Sequence, residues 1–184
     1  MTGDLRRNIE LKARLRDPAL AHAAAQRIAT EYVGIERQID TYFRVPHGRL
    51  KLREIDGGEA RLVGYERPDD FQAKASDYRL LPVIEPQRLK ELLTASLGVV
   101  AVVDKRRTIY LFQNVRIHLD EVAGLGSFLE FEAVLDLTAV DAAYAAAAGH
   151  AQLAFLSGEF QLQPDDLLAQ SYGEMLGVKS TQSG

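Results

Sequence analysis

Two glutamates, Glu130 and Glu132, flank a single phenylalanine. In an extended strand, residues two apart project side by side from one face. Two like charges held that close repel unless a cation or several basic groups compensate them. The pair therefore points to a divalent metal of the hard kind, Mg2+ or Mn2+, which takes carboxylate oxygens and keeps water or phosphate in the rest of its shell. A large basic set accompanies it: Lys12, Arg14, Arg49, Lys51, Arg53, Lys105, Arg107 and Arg116. Guanidinium and ammonium groups in such number suit phosphate oxygens. Glu10, Asp40 and Asp120 add further carboxylates.

Most of these residues sit in segments that alternate apolar and charged side chains. In Asn8 to Leu15, the side chains of Ile9, Leu11, Ala13 and Leu15 share one face, while Asn8, Glu10, Lys12 and Arg14 share the other. The pattern returns in residues 49–53, 114–120 and 130–132. A half-buried antiparallel sheet would show such a face to water. A sheet closed on itself would instead turn that face into an interior. Serine, threonine and glutamine are nearly missing from these positions, so the face reads as a built charged array.

The positioning elements follow from local signals. Asp17-Pro18 is an N-cap and first helical residue, opening an alanine-rich helix to about Ala29. Residues 32–44 alternate as a strand, Pro46-His47-Gly48 turns into a strand from Arg49 to Ile55, and Asp56-Gly57-Gly58 signals a hairpin into a strand from Arg61 to Arg67. A polar stretch through Asp77 precedes another extended piece. Gln87 to Gly98 reads as a helix with Leu89, Leu92, Leu93 and Leu97 on one face. Strands are expected at 99–103, 108–112, 115–120 and 128–135, a threonine-capped helix at Thr138 to Ala148, and a last amphipathic helix from Pro164 to about Gly177. Pro164-Asp165-Asp166 would start it. The organisation predicted is one α+β domain over residues 1–178, about eight antiparallel strands with peripheral helices, and a flexible tail at 179–184.

The 184 residues, 47% of them hydrophobic, suffice for one good-sized core. A net charge of −4 gives no global attraction for nucleic acid or a membrane surface, so neither is expected as a partner. The absence of cysteine excludes disulfides and thiolate chemistry. No apolar run approaches the ~20 residues of a membrane span, and a cytoplasmic protein is expected.

The segment Asn8-Ile9-Glu10-Leu11-Lys12 resembles the N-terminal E-x-E-x-K signature of the CYTH superfamily, the triphosphate tunnel proteins. Further matching segments follow in order: Gln38 to Phe43, Arg49 to Glu54, Lys105-Arg106-Arg107, Arg116 to Asp120, Gly124-Leu125-Gly126 and Glu130-Phe131-Glu132. The stretch from Asp120 to Glu130 looks especially like the class IV adenylyl cyclase branch. The resemblance implies a closed eight-stranded antiparallel β-barrel, a tunnel, that binds a triphosphate through divalent metals. Carried over, Glu10, Glu130 and Glu132 would be metal ligands, and Lys12, Arg14, Lys51, Arg53, Lys105, Arg107 and Arg116 phosphate contacts. Glu10, Lys12, Arg107 and Asp120 would be the catalytic set, with Asp120 near the metal. Departures are Asn8 in place of the first glutamate, Glu66 where a phosphate-binding lysine is expected unless Arg67 takes that place, and Gly173 for an arginine after Ser171-Tyr172.

The expected function is metal-dependent processing of a triphosphate: hydrolysis of a linear or organic triphosphate, or cyclisation of ATP to cyclic AMP and pyrophosphate. ATP, an organic triphosphate or tripolyphosphate would be the partner, and the protein is open to being a monomer or homodimer. The alternative is a non-catalytic nucleotide- or polyphosphate-binding module with a degenerate metal site. His118, between Arg116 and Asp120, is a secondary candidate for general base or structural histidine, and Tyr42 for a phosphate or base contact. His22, His47 and His150 have no metal-pair spacing, and Ser171 has no partners for a hydrolase triad.

Overall fold

The alternating segments pair edge to edge until the sheet closes. The computed structural model describes residues 5–66, 73–136 and 141–176. Its strands are β1 (Arg6–Arg14), β2 (Glu31–Phe43), β3 (Arg49–Ile55), β4 (Ala60–Glu66), β5 (Lys74–Pro82), β6 (Val99–Phe112), β7 (Val115–Val122) and β8 (Gly126–Val134). They form a closed barrel in the order β1-β5-β4-β3-β2-β6-β7-β8, every ladder antiparallel. Helices α1 (Pro18–Ile28), α2 (Pro86–Leu97), α3 (Ala142–Glu159) and the single turn α4 (Tyr172–Met175) lie around it.

The hydrophobic core lies on the outside of the barrel wall. Ile9, Leu11, Ile117, Leu119, Leu129 and Phe131 project outward from β1, β7 and β8 and pack under Ala21 and Ala25 of α1 and Ala145, Leu153 and Leu156 of α3. The alternate residues of the same strands therefore point inward. A second cluster of Tyr42, Val103, Val122, Phe128 and Tyr172 fills one end of the barrel, so α4 seals that end.

Local chemistry accounts for most boundaries. Asp17 accepts from the Leu20 amide at 3.0 Å to cap α1, and Gly98 ends α2 at φ 76°. Several boundaries differ from those read locally. Residues 99–112 are one strand, because Lys105 and Arg107 face inward to buried partners while Arg106 faces out to Glu121. β5 starts at Lys74, within the expected polar stretch, since it pairs with both β1 and β4. α3 is capped by Asp141 and runs to Glu159; the expected cap Thr138 lies outside the described residues, as do Arg67, Gly177 and the tail at 179–184. Gly149 does not end α3 because it is the point of closest approach: a Cβ there would lie 3.1 Å from Ile9 Cγ1. α2 buries no residue, and Leu92 on its expected core face is 62% exposed. The last helix is replaced by a 3-10 turn at Pro164–Asp166, a bridge from Leu167 to Ala13 and the short α4. Among the described residues no helix is long and apolar enough to cross a membrane.

Two glycines of α3 are expected to respond oppositely. Gly149→Leu should lower stability by about 1–3 kcal/mol through overpacking against Ile9, Leu135 and Ala133. Gly158→Ala meets nothing within 4 Å and should raise it by roughly 0.5 kcal/mol through helix propensity. Urea unfolding midpoints of the two variants measure both.

Candidate functional site: a charged cavity inside the barrel

The inward residues enclose a cavity of about 360 Å3. Burying an ionised group is costly unless it is paired, and the interior is built around two neutralising carboxylates. Asp40 on β2 is fully buried. Arg53 grips it with Nε and Nη2 at 2.7 and 2.8 Å, and the ammonium groups of Lys51 and Lys105 stand 3.0 and 3.5 Å away. Burial alone would raise its pKa, but Arg53, Lys51 and Lys105 hold it well below the usual carboxylate range. Asp120 on β7 takes the matching fork from Arg107, 2.7 Å at each contact, and accepts from the Tyr172 hydroxyl at 2.7 Å. Both aspartates sit behind the cavity wall and orient the basic groups that line it.

Arg107 also reaches Glu130 on β8 at 2.6 Å, and Lys12 on β1 reaches the other Glu130 oxygen at 3.1 Å. The Lys12 ammonium lies 3.4 Å above the centre of the Tyr172 ring, a cation–π contact. Glu130 is held well below its ordinary pKa: burial opposes this, and Lys12 and Arg107 outweigh burial. Glu132 carries a half-exposed Arg116 at 3.5 Å. His118, 4% exposed, points Nδ1 at Glu130 and Glu132 from 3.8 and 3.7 Å, and that nitrogen has no hydrogen-bond partner. Burial, then Arg107, keeps its pKa lowered.

His118, Glu130 and Glu132 offer ligand atoms within 4.8 Å of one another. A buried imidazole nitrogen without a partner, aimed at two carboxylates, fits a divalent cation. Glu10 lines the same cavity and stands opposite Glu132 in the β1–β8 ladder. Asn8 lines it too, its Oδ1 accepting from Tyr78 at 3.3 Å.

The tertiary structure thus brings together Glu10, Lys12, Lys51, Arg53, Lys105, Arg107, Arg116, Glu130 and Glu132 around one space. Arg14 does not reach it. At the end of β1 it is exposed, donates to the Leu125 carbonyl at 3.3 Å and stacks on Phe128. Arg49 pairs with Glu174 of α4 at 2.5 Å. Glu66 is exposed and lies outside the cavity lining, where β4 contributes Arg61, Val63 and Tyr65 instead, so no glutamate of β4 confronts an anion there. At Gly173 a Cβ would sit 3.3 Å from the Tyr42 ring. Tyr172, which the sequence places only within the Ser171-Tyr172-Gly173 segment, lines the cavity because the fold carries α4 back onto β1 and β7.

The structure is a closed antiparallel barrel whose interior carries a buried basic lining and a carboxylate–imidazole group. The model of the CYTH domain matches residues 6–147, and the chain belongs to the CYTH domain family. Among solved structures, the PH1012 protein of Pyrococcus horikoshii OT3 is 26% identical, with a TM-score of 0.77 over 91% of this chain and 98% of that one. A candidate adenylate cyclase from Vibrio parahaemolyticus is 22% identical, with a TM-score of 0.74 over 92% and 97%. A candidate adenylyl cyclase from Hippeastrum with a dominant triphosphatase activity is 13% identical, with a TM-score of 0.61 over 93% of each chain. These last two share the fold. No functionally curated protein matches the chain.

Lys105 should make the site sensitive to pH. Burial, then Arg107, brings its pKa down to about 7 against a partial offset from Asp40. Its folded value lies below its unfolded one, so the unfolded chain binds more protons between the two, and this group's contribution to stability rises with pH across that window. An anion in the cavity favours the charged amine. Tripolyphosphate binding near neutral pH should therefore take up a proton and weaken as pH rises through about 7. Calorimetry in buffers of different ionisation heat measures the uptake, and Lys105→Met should reduce it.

Proposed function

We propose that the protein processes a triphosphate with the help of a divalent cation inside the barrel, hydrolysing it or, with ATP, cyclising the nucleotide in the manner of the class IV adenylyl cyclase branch. The observation that carries this reading is the juxtaposition, in one cavity, of five buried or half-buried cations with the His118, Glu130 and Glu132 group. The Hippeastrum relative, whose described activity is dominantly triphosphatase, supports hydrolysis.

In this reading Lys12, Lys51, Arg53, Lys105 and Arg107 hold the phosphate oxygens. Asp40 and Asp120 fix the two guanidinium planes, so the forks arrive oriented and lose little freedom when phosphate binds. Lys12 and Arg107 already share Glu130; phosphate oxygens compete for the same two cations, which leaves the carboxylate to a metal. Glu130, Glu132 and His118, with Glu10 opposite, would hold Mg2+ or Mn2+. When bound, such an ion neutralises charge on the phosphate oxygens. The remaining contribution of the protein is fixed positive charge where the departing phosphate gains negative charge. Water is the nucleophile for hydrolysis and the ribose 3′ hydroxyl for cyclisation.

A second reading, binding without turnover, is favoured by Asn8, a neutral amide held by Tyr78 where the family signature has a carboxylate. Incubation with ATP, thiamine triphosphate and tripolyphosphate, following phosphate, pyrophosphate and cyclic AMP, separates the two. Turnover of at least one is expected; binding of all with turnover of none would establish the second reading. Glu130→Gln and Glu132→Gln should each cut metal-dependent turnover by about 100-fold. Because an imidazole nitrogen suits Mn2+ better than Mg2+, Mn2+ should be the tighter ion in metal titrations of the wild type, and His118→Phe should narrow that preference.

A further inference from the structure

We infer that the outer face of the barrel carries a second binding site, a groove between α1 and the β2–β6 wall that takes an uncharged purine ring, free or as its nucleoside. The inference goes beyond the triphosphate reading and stands without it.

The groove lies where the helices leave the wall bare. α1 packs on β6 and β7, and α2 on β2 and β3. Neither covers the outer face at the start of β2, where Tyr32 is 56% and Ile35 48% exposed. One side of the groove is α1, whose His22, Gln26 and Ala29 recur at helical spacing, while Ala21 and Ala25 face the core. The floor comes from Thr108 and Tyr110 of β6. These two alternate with Arg107 and Ile109, which line the barrel interior, so groove and cavity share a strand and open on opposite faces of it. The groove encloses about 650 Å3, in the range of small-molecule sites.

An irregularity of the sheet builds its aromatic wall. Tyr32 pairs with Tyr110, Gly34 with Ile109 and Ile35 with Thr108, so Val33 is an extra residue opposite a single step of β6. Unbroken alternation would give Tyr32 the parity of Glu36, which lines the interior. The bulge instead turns Tyr32 into the groove, with Gly34 at φ 139° absorbing the change of direction. The Tyr32 ring then lies 5.1 Å from that of Tyr110, inclined at 48°. Tyr110 is buried, so the open aromatic surface belongs to Tyr32.

The polar groups around this ring are unused. Thr108 is buried, yet no side-chain hydrogen bond joins its hydroxyl to another described residue. His22 meets the Tyr110 hydroxyl through Nδ1 at 3.4 Å, and its Nε2 has no partner among the described residues; nor has the Gln26 amide. Donors and acceptors of both kinds therefore border the ring. Free positive charge does not. Arg106 is the one arginine or lysine of the lining, and Glu121 takes it at 2.9 Å, while Glu31 on the rim repels anions. A phosphate group has nothing there to hold it. A flat ring with an apolar face and an edge of ring nitrogens and an amine matches the set: the face stacks on Tyr32 and the edge meets the hydroxyl, imidazole and amide.

The test is a titration with adenosine, a purine carrying no phosphate, followed by saturation-transfer NMR on the full chain and on the variants Tyr32→Ala, Thr108→Val and Ile109→Ser. The wild type should bind it with a Kd of about 0.1 mM. Tyr32→Ala should weaken binding about tenfold through loss of the stacking surface, and Thr108→Val about threefold through loss of one hydrogen bond. Ile109→Ser, altered on the interior face of the same strand, should leave the affinity within about twofold. Should Tyr32→Ala melt earlier than the wild type, Tyr32→Leu, which keeps apolar bulk without a ring face, carries the same expectation. Absence of adenosine binding by the wild type overturns the inference. So does unchanged affinity in the Tyr32 variant that melts with the wild type, and so does a loss in Ile109→Ser as large as that in the Tyr32 variant, which places the nucleoside inside the barrel.

Discussion

The whole interior depends on one constraint: charge taken out of water must be paired inside the barrel wall. An isolated buried carboxylate or ammonium is too costly to keep ionised, and this chain lines a closed barrel with both. The solution is a lattice of cross-strand pairs. Asp40 joins β2 to Arg53 and Lys51 on β3 and to Lys105 on β6; Arg107 joins β6 to Asp120 on β7 and Glu130 on β8; Lys12 returns the lattice to β1. The same pairs that make burial tolerable also fix the directions of the basic groups. Stability and preorganisation are one arrangement.

That arrangement inverts the usual placement of a core. The apolar faces of β1, β7 and β8 turn outward under α1 and α3, so the helices supply the hydrophobic burial that the barrel interior cannot. Among the described residues, one end of the barrel is packed with apolar side chains, and there the C-terminal segment does the sealing. Glu174 caps α4 through Ser171 and also pairs with Arg49 on β3. Leu168 donates to the Lys12 carbonyl. Tyr172 is thereby delivered between Asp120 and Lys12, touching one member of the acidic set and one of the basic set.

The family and the cavity point in one direction from independent grounds. Membership rests on the match over residues 6–147; the proposal of anion binding rests on distances among side chains. Asn8 stands where the resemblance expects a glutamate, and its Oδ1 accepts from the Tyr78 hydroxyl at 3.3 Å. The imidazole of His118 brings a nitrogen donor to Glu130 and Glu132 on the neighbouring strand.

The sequence alone determined the alternation, the strand-rich order, the caps at Asp17 and Gly98, and the identity of most of the inward charges, because side-chain parity along a strand is a local property with a period of two. It could not determine what depends on closure. Whether the charged face met water or a cavity, whether residues 99–112 were two strands or one, and where Arg14 ended up were decided by pairing partners far along the chain. Arg14 shares the parity of Lys12 but lies at the strand's end, beyond the enclosed space. The pairing of Asp40 with three cations, the approach of Tyr172 to Lys12, and the grouping of His118 with Glu130 and Glu132 likewise exist only after β1 meets β8 and α4 folds back. Parity assigns a side chain to a face; only the closed barrel makes that face an interior and gives each charge its neighbour.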